Sequence, residues 1–363
     1  MAWFRTFILP GLIFQSVIIG GGYATGRELI EFFFPQGPLG GVLGLLTAAL
    51  VFGVVLAVGF EFARVTGSYD YRRFCRSLLG RGWPVFEVAF IIQLLLILSV
   101  IGSAAGEMVQ STLQLPTLWG TVALMVLIAI LTFNGSEVIK VVLSAWSVVL
   151  YGVYLLLFAL AFASYSGVIG DTFASQPVGE GWAKSGVLYS GYNLALLPAV
   201  LFAVVHLRSR RETVGAGLMG GLLAIIPALL FYIAMMSFYP EIGDEPLPAT
   251  FLMSQLNNGW LSVLFQIVVF GTFIETGTAL LHAVNERLDA SVRERGGELP
   301  RFARPAVSLA FLVVAIFAGE VVGIIDLIAK GYGLLTLVFI AVLILPLLSL
   351  GVARIVRAPA LVR

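Results

Sequence analysis

The sequence predicts an all-α integral membrane protein with about ten transmembrane helices, of which the first and the sixth are discontinuous. Of its 363 residues, 60% are hydrophobic and 11% are charged, and the mean hydropathy is +1.02. A soluble domain of this composition would expose large apolar patches and aggregate. The apolar runs are long and continuous, whereas membrane β-strands alternate in polarity over about ten residues, so helices are predicted.

Ten apolar runs have the length that a membrane helix needs, roughly 17 residues or more. They cover residues 7–34, 38–65, 83–113, 117–133, 137–167, 185–207, 212–239, 259–285, 303–319 and 331–353. The polar connections between them are short, so residues 1–363 are predicted to form a single transmembrane domain.

The basic residues lie almost entirely on one side of the predicted membrane. With the N-terminus inside, the inside loops receive all but three of the 21 Lys and Arg residues, the exceptions being Arg27, Lys184 and Lys330. The positive-inside rule therefore predicts a bacterial-type inner membrane protein with both termini in the cytoplasm.

The first run contains four glycines within Gly20-Gly21-Gly22-Tyr23-Ala24-Thr25-Gly26. Each glycine weakens a helix by roughly 1 kcal/mol relative to Ala, and in lipid every freed backbone group needs a new partner. The pattern indicates a discontinuous helix whose unwound middle binds a polar ligand or an ion. The alternative is close helix packing, which we expect for Gly40 with Gly44 and for Gly217 with Gly221.

The sixth run is interrupted in a corresponding place. Tyr189-Ser190-Gly191-Tyr192-Asn193 precedes Pro198, and proline removes a backbone donor, so a break is predicted just before Pro198. The first run crosses outward and the sixth inward. Two interrupted helices in oppositely oriented halves predict an inverted repeat, with spans one to five in residues 1–167 and spans six to ten in residues 182–356.

These two breaks predict where a small substrate binds. N–H groups from Gly22 to Gly26, at the start of an outer half-helix near Thr25 or Gly26, suit a carboxylate, and carbonyls from Tyr189 to Tyr192 suit an amine. The predicted substrate-binding residues are Gly20, Gly21, Gly22, Tyr23, Ala24, Thr25, Gly26, Tyr189, Ser190, Gly191, Tyr192 and Asn193.

Charged residues near the first break predict a gate on the outer side. Arg27 and Glu28 follow the glycines at once, and Glu320 or Asp326 is the expected carboxylate partner of Arg27. An intrahelical pair between Arg27 and Glu31, four residues on, is the equally simple alternative. The loop from Pro240 to Asn258 is expected to cover the outer mouth as a partial lid.

The eighth span carries the candidate coupling residues. Glu275 either pairs with a cation or cycles a proton, and Thr272 and Thr276 lie one turn apart. Threonines bonded to their own helix backbone are the alternative. Glu107 and His282 are weaker candidates for a proton pathway.

Enzyme templates fail on this sequence. The two histidines, His206 and His282, belong to no His-Glu-x-x-His helix, and no phosphate-binding loop is present. Gly20-x-Gly22 lacks the third glycine of a dinucleotide site and follows no strand. No enzyme activity is therefore expected.

Several motifs together resemble those of the YkvI-type amino-acid permeases. They are Ile8-Leu9-Pro10-Gly11 leading into the first break and Arg27-Glu28, Gly191-Tyr192-Asn193, Glu275-Thr276-Gly277, His282-x-x-Asn285-Glu286 and Asp326-x-x-x-Lys330-Gly331-Tyr332-Gly333. That resemblance implies the amino acid-polyamine-organocation superfamily and the leucine-transporter fold of five plus five inverted helices. It also implies a sodium site between spans one and eight, near Gly20, Thr276 and Thr278.

The expected function is secondary active transport of a small amino acid or related zwitterion or amine, coupled to Na⁺ or H⁺, by alternating access. No bound cofactor besides that coupling ion is expected. The expected partners are a small-molecule substrate and the lipid bilayer, without nucleic acid, and the candidate assembly is a homodimer. A ligand-sensing membrane subunit without concentrative flux and a channel are the alternatives.

Overall fold

The computed structural model describes residues 3–134, 136–256, 259–293, 296–298, 300 and 302–358. In the first part of the chain, a π-helical turn Phe4–Ile8 leads into α1 (Leu9–Ile18), α2 (Gly21–Thr25), α3 (Arg27–Phe33), α4 (Gly37–Thr66), α5 (Tyr71–Leu79), α6 (Trp83–Leu113), α7 (Thr117–Asn134) and α8 (Ser136–Ser175).

The second part of the chain is also helical. It contains α9 (Trp182–Leu194), the 3₁₀ segment Leu197–Val204, α10 (Arg210–Met235), α11 (Pro248–Gln255), α12 (Gly259–Arg293), α13 (Ala303–Asp326), the π-helical turn Leu327–Tyr332, α14 (Gly333–Phe339) and α15 (Val352–Arg357). No strand occurs in the described part of the chain. The all-α membrane fold predicted from composition is therefore confirmed.

Six continuous helical stretches of the described residues are long and apolar enough to cross a membrane, and the bent pair of α9 and Leu197–Val204 makes a seventh. The stretch Arg27–Thr66 contains 40 residues and holds the predicted run 38–65 with the end of the first run. The stretch Ala303–Arg357 contains 55 residues and holds two predicted runs, 303–319 and 331–353. All ten apolar runs fall on helical segments. The count of ten crossings and the halves 1–167 and 182–356 stay predictions.

The first span is discontinuous, although the break differs from the predicted one. Ile19 and Gly20 leave the helical region, with ψ angles of 76° and −161°, and Gly26 adopts a left-handed φ of 82°. Between them α2 is helical, so the unwound backbone is confined to two short places rather than the whole of residues 20–26. The outer half-helix that was expected to start near Thr25 or Gly26 corresponds to α3, which begins at Arg27.

The sixth span breaks where proline predicts it. Helix α9 ends at Leu194, and the 3₁₀ segment that contains Pro198 leaves it at an angle of 68°. Both broken spans therefore turn in the middle of the bundle. This places the backbone of both breaks inside the bundle, and non-helical backbone is tolerated in a membrane protein where it is buried in protein or lines a cavity.

Small residues bring α4 and α10 together behind the broken helices. A Cβ on Gly217 would meet the backbone of Ala57, and a Cβ on Gly221 would meet the backbone of Gly53. Close packing through small residues is the usual way in which membrane helices associate. The packing role expected for Gly217 and Gly221 is thus observed, and it fixes α1 and α9 against a rigid pair.

Candidate functional site

A cavity of about 200 Å³ lies between the two broken spans. Its walls come from α1 and the first break, α3, α6, α9, α12 and the turn Leu327–Tyr332. The polar residues that line it are Ser16, Gly20, Glu28, Gln93, Tyr192, Asn193, Thr272, Glu275, Thr276 and Tyr332, and apolar walls come from Val17, Ile18, Ile19, Ile97, Leu196, Ala279 and Leu280. The cavity thus joins predicted residues from spans one, six and eight.

Helix α12 presents one face to the cavity. Thr272, Glu275 and Thr276, followed by Ala279 and Leu280, recur at the three- and four-residue spacing of one helix face. The Thr272 hydroxyl donates to the Val268 carbonyl at 3.0 Å, which is the intrahelical alternative for this residue. Glu275 and Thr276 are therefore the residues of α12 best placed for coupling chemistry.

The implied sodium site needs correction. Residues two positions apart on a helix point about 200° apart around its axis, so Thr276 and Thr278 point in different directions. Thr276 faces the first break, where its Cγ2 lies 3.7 Å from the position of a Cβ on Gly20. Thr278 is fully buried away from the cavity, and its hydroxyl has no hydrogen-bond partner among the described residues. A joint site of Gly20, Thr276 and Thr278 is wrong in this conformation.

Glu28 lies in the cavity wall and not at an outer gate. It is 3% exposed, and its carboxylate accepts hydrogen bonds from the Tyr192 hydroxyl and from the backbone N–H of Tyr23. The carboxylate lies directly against Gly22, where a Cβ would collide with it. The Glu28–Tyr192 bond connects the two broken spans, so the gate role predicted for Glu28 is wrong.

Tyr192 organises the wall opposite the first break. Its ring stacks on that of Tyr332, with centroids 4.5 Å apart and planes at 22°. Its carbonyl accepts a hydrogen bond of 2.8 Å from Gln93 Nε2, and Gln93 is completely buried. Asn193 also lines the cavity, and its Nδ2 donates to the Tyr189 carbonyl at 3.0 Å. These bonds hold the end of α9 in a fixed position.

The other predicted residues of the second break lie behind this wall. Tyr189, Ser190 and Gly191 do not line the cavity. The Ser190 hydroxyl donates to the Gly186 carbonyl at 2.7 Å, and a Cβ on Gly191 would lie 2.9 Å from the Thr336 carbonyl oxygen. These three residues serve the packing and capping of α9 in this conformation.

Most predicted residues of the first break are likewise occupied by protein contacts. Gly22, Tyr23, Ala24, Thr25 and Gly26 do not line the cavity. The Ala24 carbonyl accepts from the Tyr154 hydroxyl, and the Thr25 hydroxyl donates to the Gly22 carbonyl at 2.9 Å. Gly26 packs against Phe231 and Pro248. Among the predicted residues of the first break, Gly20 lines the cavity. The burial of Gly21 is outside what the structure describes.

Arg27 contacts the loop 240–256, here called the lid loop. Its Nη1 donates to the carbonyls of Gly243 at 2.8 Å and Glu245 at 3.0 Å, and its Nη2 lies 3.5 Å from Glu31. Arg27 is 6% exposed. One buried cation thus fastens the lid loop to the first span, and the outer-mouth role of this loop stays a prediction.

The predicted partners of Arg27 lie elsewhere. Glu320 accepts hydrogen bonds from Thr117 at 3.1 Å and Thr121 at 3.2 Å, because α13 packs on α7. Asp326 pairs with Lys330 at 2.8 Å, four residues along the chain. The expected pairing of Arg27 with Glu320 or Asp326 is therefore wrong in this conformation, and the pair with Glu31 is the one observed.

Carboxylates also surround the approach to the lid loop. Glu107 and Glu245 both line a second depression beside α11 and α12. Burial first, and then the charges of Glu241 and Asp244, raise the pKa of the Glu245 carboxyl above its ordinary value. No Lys, Arg or His lines this depression or the cavity among the described residues. The electrostatic surroundings therefore favour a cation.

Three polar residues of the cavity, Ser16, Gln93 and Tyr332, were not identified from the sequence as site residues. Gln93 is the polar residue that interrupts the apolar run from Val88 to Leu98, and this interruption is the signal that was available. Tyr332 belongs to the Lys330-Gly331-Tyr332-Gly333 motif.

No group of three or more His, Cys, Asp or Glu side chains suited to a metal ion occurs in the described residues.

Comparisons with known proteins identify the fold. No family model matches the chain. It is 22% identical over 290 residues to YkvI, an uncharacterized membrane protein of Bacillus subtilis strain 168, which covers 77% of this chain and 80% of that protein. The similarity agrees with the resemblance in motifs but does not show membership of a permease family.

Two crystal structures of a manganese transporter from Eremococcus coleocola are similar in fold. A mutant form is 13% identical with a TM-score of 0.59, covering 97% of this chain and 84% of that one. A complex with an aromatic bis-isothiourea substituted compound is 15% identical with a TM-score of 0.56, covering 96% and 83%. This chain therefore has the leucine-transporter fold, as predicted. Both neighbours are membrane transporters and neither is an enzyme.

Proposed function

We propose that this protein is a secondary active transporter of a small amino acid, zwitterion or amine, coupled to Na⁺ or H⁺. The observation that carries the proposal is the cavity between the two broken spans. The lid loop, which packs on α2 of the first broken span, is proposed as the cover of this cavity on the outer side. A carrier needs a substrate site that connects with one side of the membrane at a time. A cavity at the breaks with a fastened outer lid fits that requirement.

The lining residues suggest how a substrate is held. The carboxylates of Glu28 and Glu275 attract the ammonium group, and the stacked rings of Tyr192 and Tyr332 offer an apolar and cation-binding wall. The Asn193 side chain supplies polar orientation. In the proposed cycle, release of the lid loop by Arg27 opens the same cavity to the outside.

Coupling to an ion is proposed for α12. Thr276 lies beside Gly20 with its methyl group toward that residue, and the Thr276 hydroxyl is the proposed Na⁺ ligand together with a carbonyl of the first break. Glu275 in the same cavity is the candidate for H⁺. The arginine distribution supports both termini in the cytoplasm of an inner membrane. The homodimer stays a prediction.

Uptake into proteoliposomes tests the proposal. Radiolabelled amino acids and amines, with Mn²⁺ as a further cargo, are offered under a Na⁺ gradient, a pH gradient or neither. We expect gradient-driven accumulation that Gly22→Ala abolishes, because the added Cβ collides with the Glu28 carboxylate. The control is Gly170→Ala on α8, where a Cβ meets nothing within 4 Å. Unchanged uptake by Gly22→Ala, or no accumulation of any cargo, contradicts the proposal.

The same assay separates the alternatives. Ligand binding with no flux under any gradient favours a sensing subunit. Flux that runs only down the gradient of the cargo and does not saturate favours a channel. Saturable accumulation against a gradient excludes both.

A further inference from the structure

The Glu28 carboxyl group is buried without a basic partner among the described residues. It is 3% exposed, and its hydrogen-bond donors are the neutral Tyr192 hydroxyl and the Tyr23 N–H. The adjacent Arg27 points to the lid loop and to Glu31. No Lys, Arg or His pairs with Glu28 among the described residues. An unpaired carboxylate at membrane depth is costly and usually marks a functional group.

A second acceptor is buried beside the same space. Gln93 is fully buried and lines the cavity, and its amide nitrogen is used by the Tyr192 carbonyl. Its Oε1 has no hydrogen-bond donor in the part of the chain that the structure describes. A buried acceptor left unpaired costs about 1 to 3 kcal/mol, so a ligand that donates to it binds more tightly. The cavity wall therefore supplies hydrogen-bond acceptors, and a ligand that carries hydrogen-bond donors suits it.

The position that the sequence assigns to a substrate carboxylate is already filled. The Glu28 carboxylate lies against Gly22 and accepts the Tyr23 N–H, which belongs to the predicted anion-binding segment. A substrate carboxylate at the same place would meet a like charge, and no cationic side chain lines the cavity among the described residues to offset it. Like charges at such close range disfavour binding.

We propose that this site takes an alkylammonium ion that carries no carboxylate of its own, with Glu28 as its fixed counter-ion and Gln93 Oε1 as a second acceptor. The inference rests on the proposed function and narrows its substrate class from amino acids and amines to amines. The ammonium N–H groups donate to Glu28 and Gln93, and the alkyl chain lies along Ile19, Ile97 and Leu196. The stacked rings of Tyr192 and Tyr332 add a cation–π surface.

Matched ligands test the inference on the purified full-length protein. One series is leucine, 3-methylbutylamine and 4-methylpentanoate, and a smaller one is alanine, ethylamine and propanoate. Each series keeps one carbon skeleton and varies its charged groups. Dissociation constants come from titration calorimetry, with thermal unfolding as a second readout. In at least one series, we expect the amine to bind at least about tenfold more tightly than the amino acid and the carboxylate not to bind.

Variants then locate the ammonium. Glu28→Gln should weaken amine binding at least about tenfold, as should Gln93→Met, because each loses a hydrogen bond to a charged group. The matched control is Glu180→Gln, an exposed glutamate in the loop before α9, with unchanged affinity. Amine affinity within twofold of the parent in a Glu28→Gln variant that melts normally overturns the inference. An amino acid that binds as tightly as its matched amine also overturns the inference, as does the absence of amine binding in both series. These two measurements use the wild-type protein, so they do not depend on the folding of a variant.

Transport measurements separate this inference from the proposed function. Amines that bind as expected but never accumulate in proteoliposomes contradict the transporter and leave the ammonium site standing. Accumulation of leucine or alanine without amine binding contradicts the ammonium site and leaves the transporter standing.

Discussion

Replacement of Arg27 by alanine should release the lid loop. Arg27 donates to the carbonyls of Gly243 at 2.8 Å and Glu245 at 3.0 Å from a side chain that is 8% exposed. A hydrogen bond to a charged group contributes about 1.5 to 3 kcal/mol. Both carbonyls belong to half-buried residues that water can reach in the variant, so the lower value applies to each. The two bonds together contribute about 3 kcal/mol.

That free energy corresponds to a factor of about 150 in the equilibrium between closed and open lid. The assay is labelling of a cysteine at Thr25 by a membrane-impermeant maleimide in sealed vesicles. Thr25 is 2% exposed and lies on α2, which packs beneath α11 of the lid loop. Cys75, the one native cysteine, is first changed to alanine. Because labelling follows the open fraction, the Arg27→Ala variant should react at least about tenfold faster.

Two controls separate the lid contacts from the ion pair. Arg27→Lys keeps the charge and part of the hydrogen bonding, so its labelling rate should lie between those of the parent and Arg27→Ala. Glu31→Gln removes the 3.5 Å pair with Arg27 and leaves both carbonyl contacts, so it should change the rate less than about twofold. The reasoning is refuted if Arg27→Ala labels at the parental rate, or if Glu31→Gln accelerates labelling as much.

Two further predictions concern the cavity wall. Tyr192→Phe removes the hydroxyl that donates to the buried Glu28, so thermal unfolding in detergent should show a loss of about 1 to 3 kcal/mol in the free energy of unfolding. Tyr332→Phe keeps the stacked ring and should change this free energy by less than about 0.5 kcal/mol. Equal losses in the two variants would contradict the hydrogen bond. Thr276→Val should abolish any Na⁺ stimulation of ligand binding measured by calorimetry, because Thr276 lines the cavity beside the first break. Thr278→Val should retain the stimulation, because Thr278 does not line the cavity. Stimulation lost in both variants would contradict this placement.

The breaks of both spans were predictable because they follow from local backbone rules. The glycines clustered from position 20 and the proline at position 198 weaken a helix through the backbone itself, and lipid requires the freed groups to find partners. The extent of the first break was not predictable. Gly22 is helical in the structure, and its lack of a side chain serves the approach of the Glu28 carboxylate, a contact that depends on the fold.

The roles of Arg27 and Glu28 show why neighbours in sequence can mislead. Adjacent residues on a helix point about 100° apart, so one reaches the lid loop and the other reaches the cavity. The sequence placed both at the same gate. The partners Gly243 and Tyr192 lie more than 160 residues further along the chain, as the contacts at separations of 216 and 164 residues show. Such contacts need the tertiary arrangement of the lid loop and α9.

The same geometry links the substrate site to the lid. Arg27 and Glu28 are the first two residues of α3, a helix of seven residues. A ligand shifts a conformational equilibrium only through interactions that differ between the two states. An ammonium ion on Glu28 competes with the bond that ties α3 to Tyr192, and any rotation of α3 that follows displaces Arg27 from the Gly243 carbonyl. Occupancy of the cavity and closure of the lid loop are therefore expected to be coupled through α3.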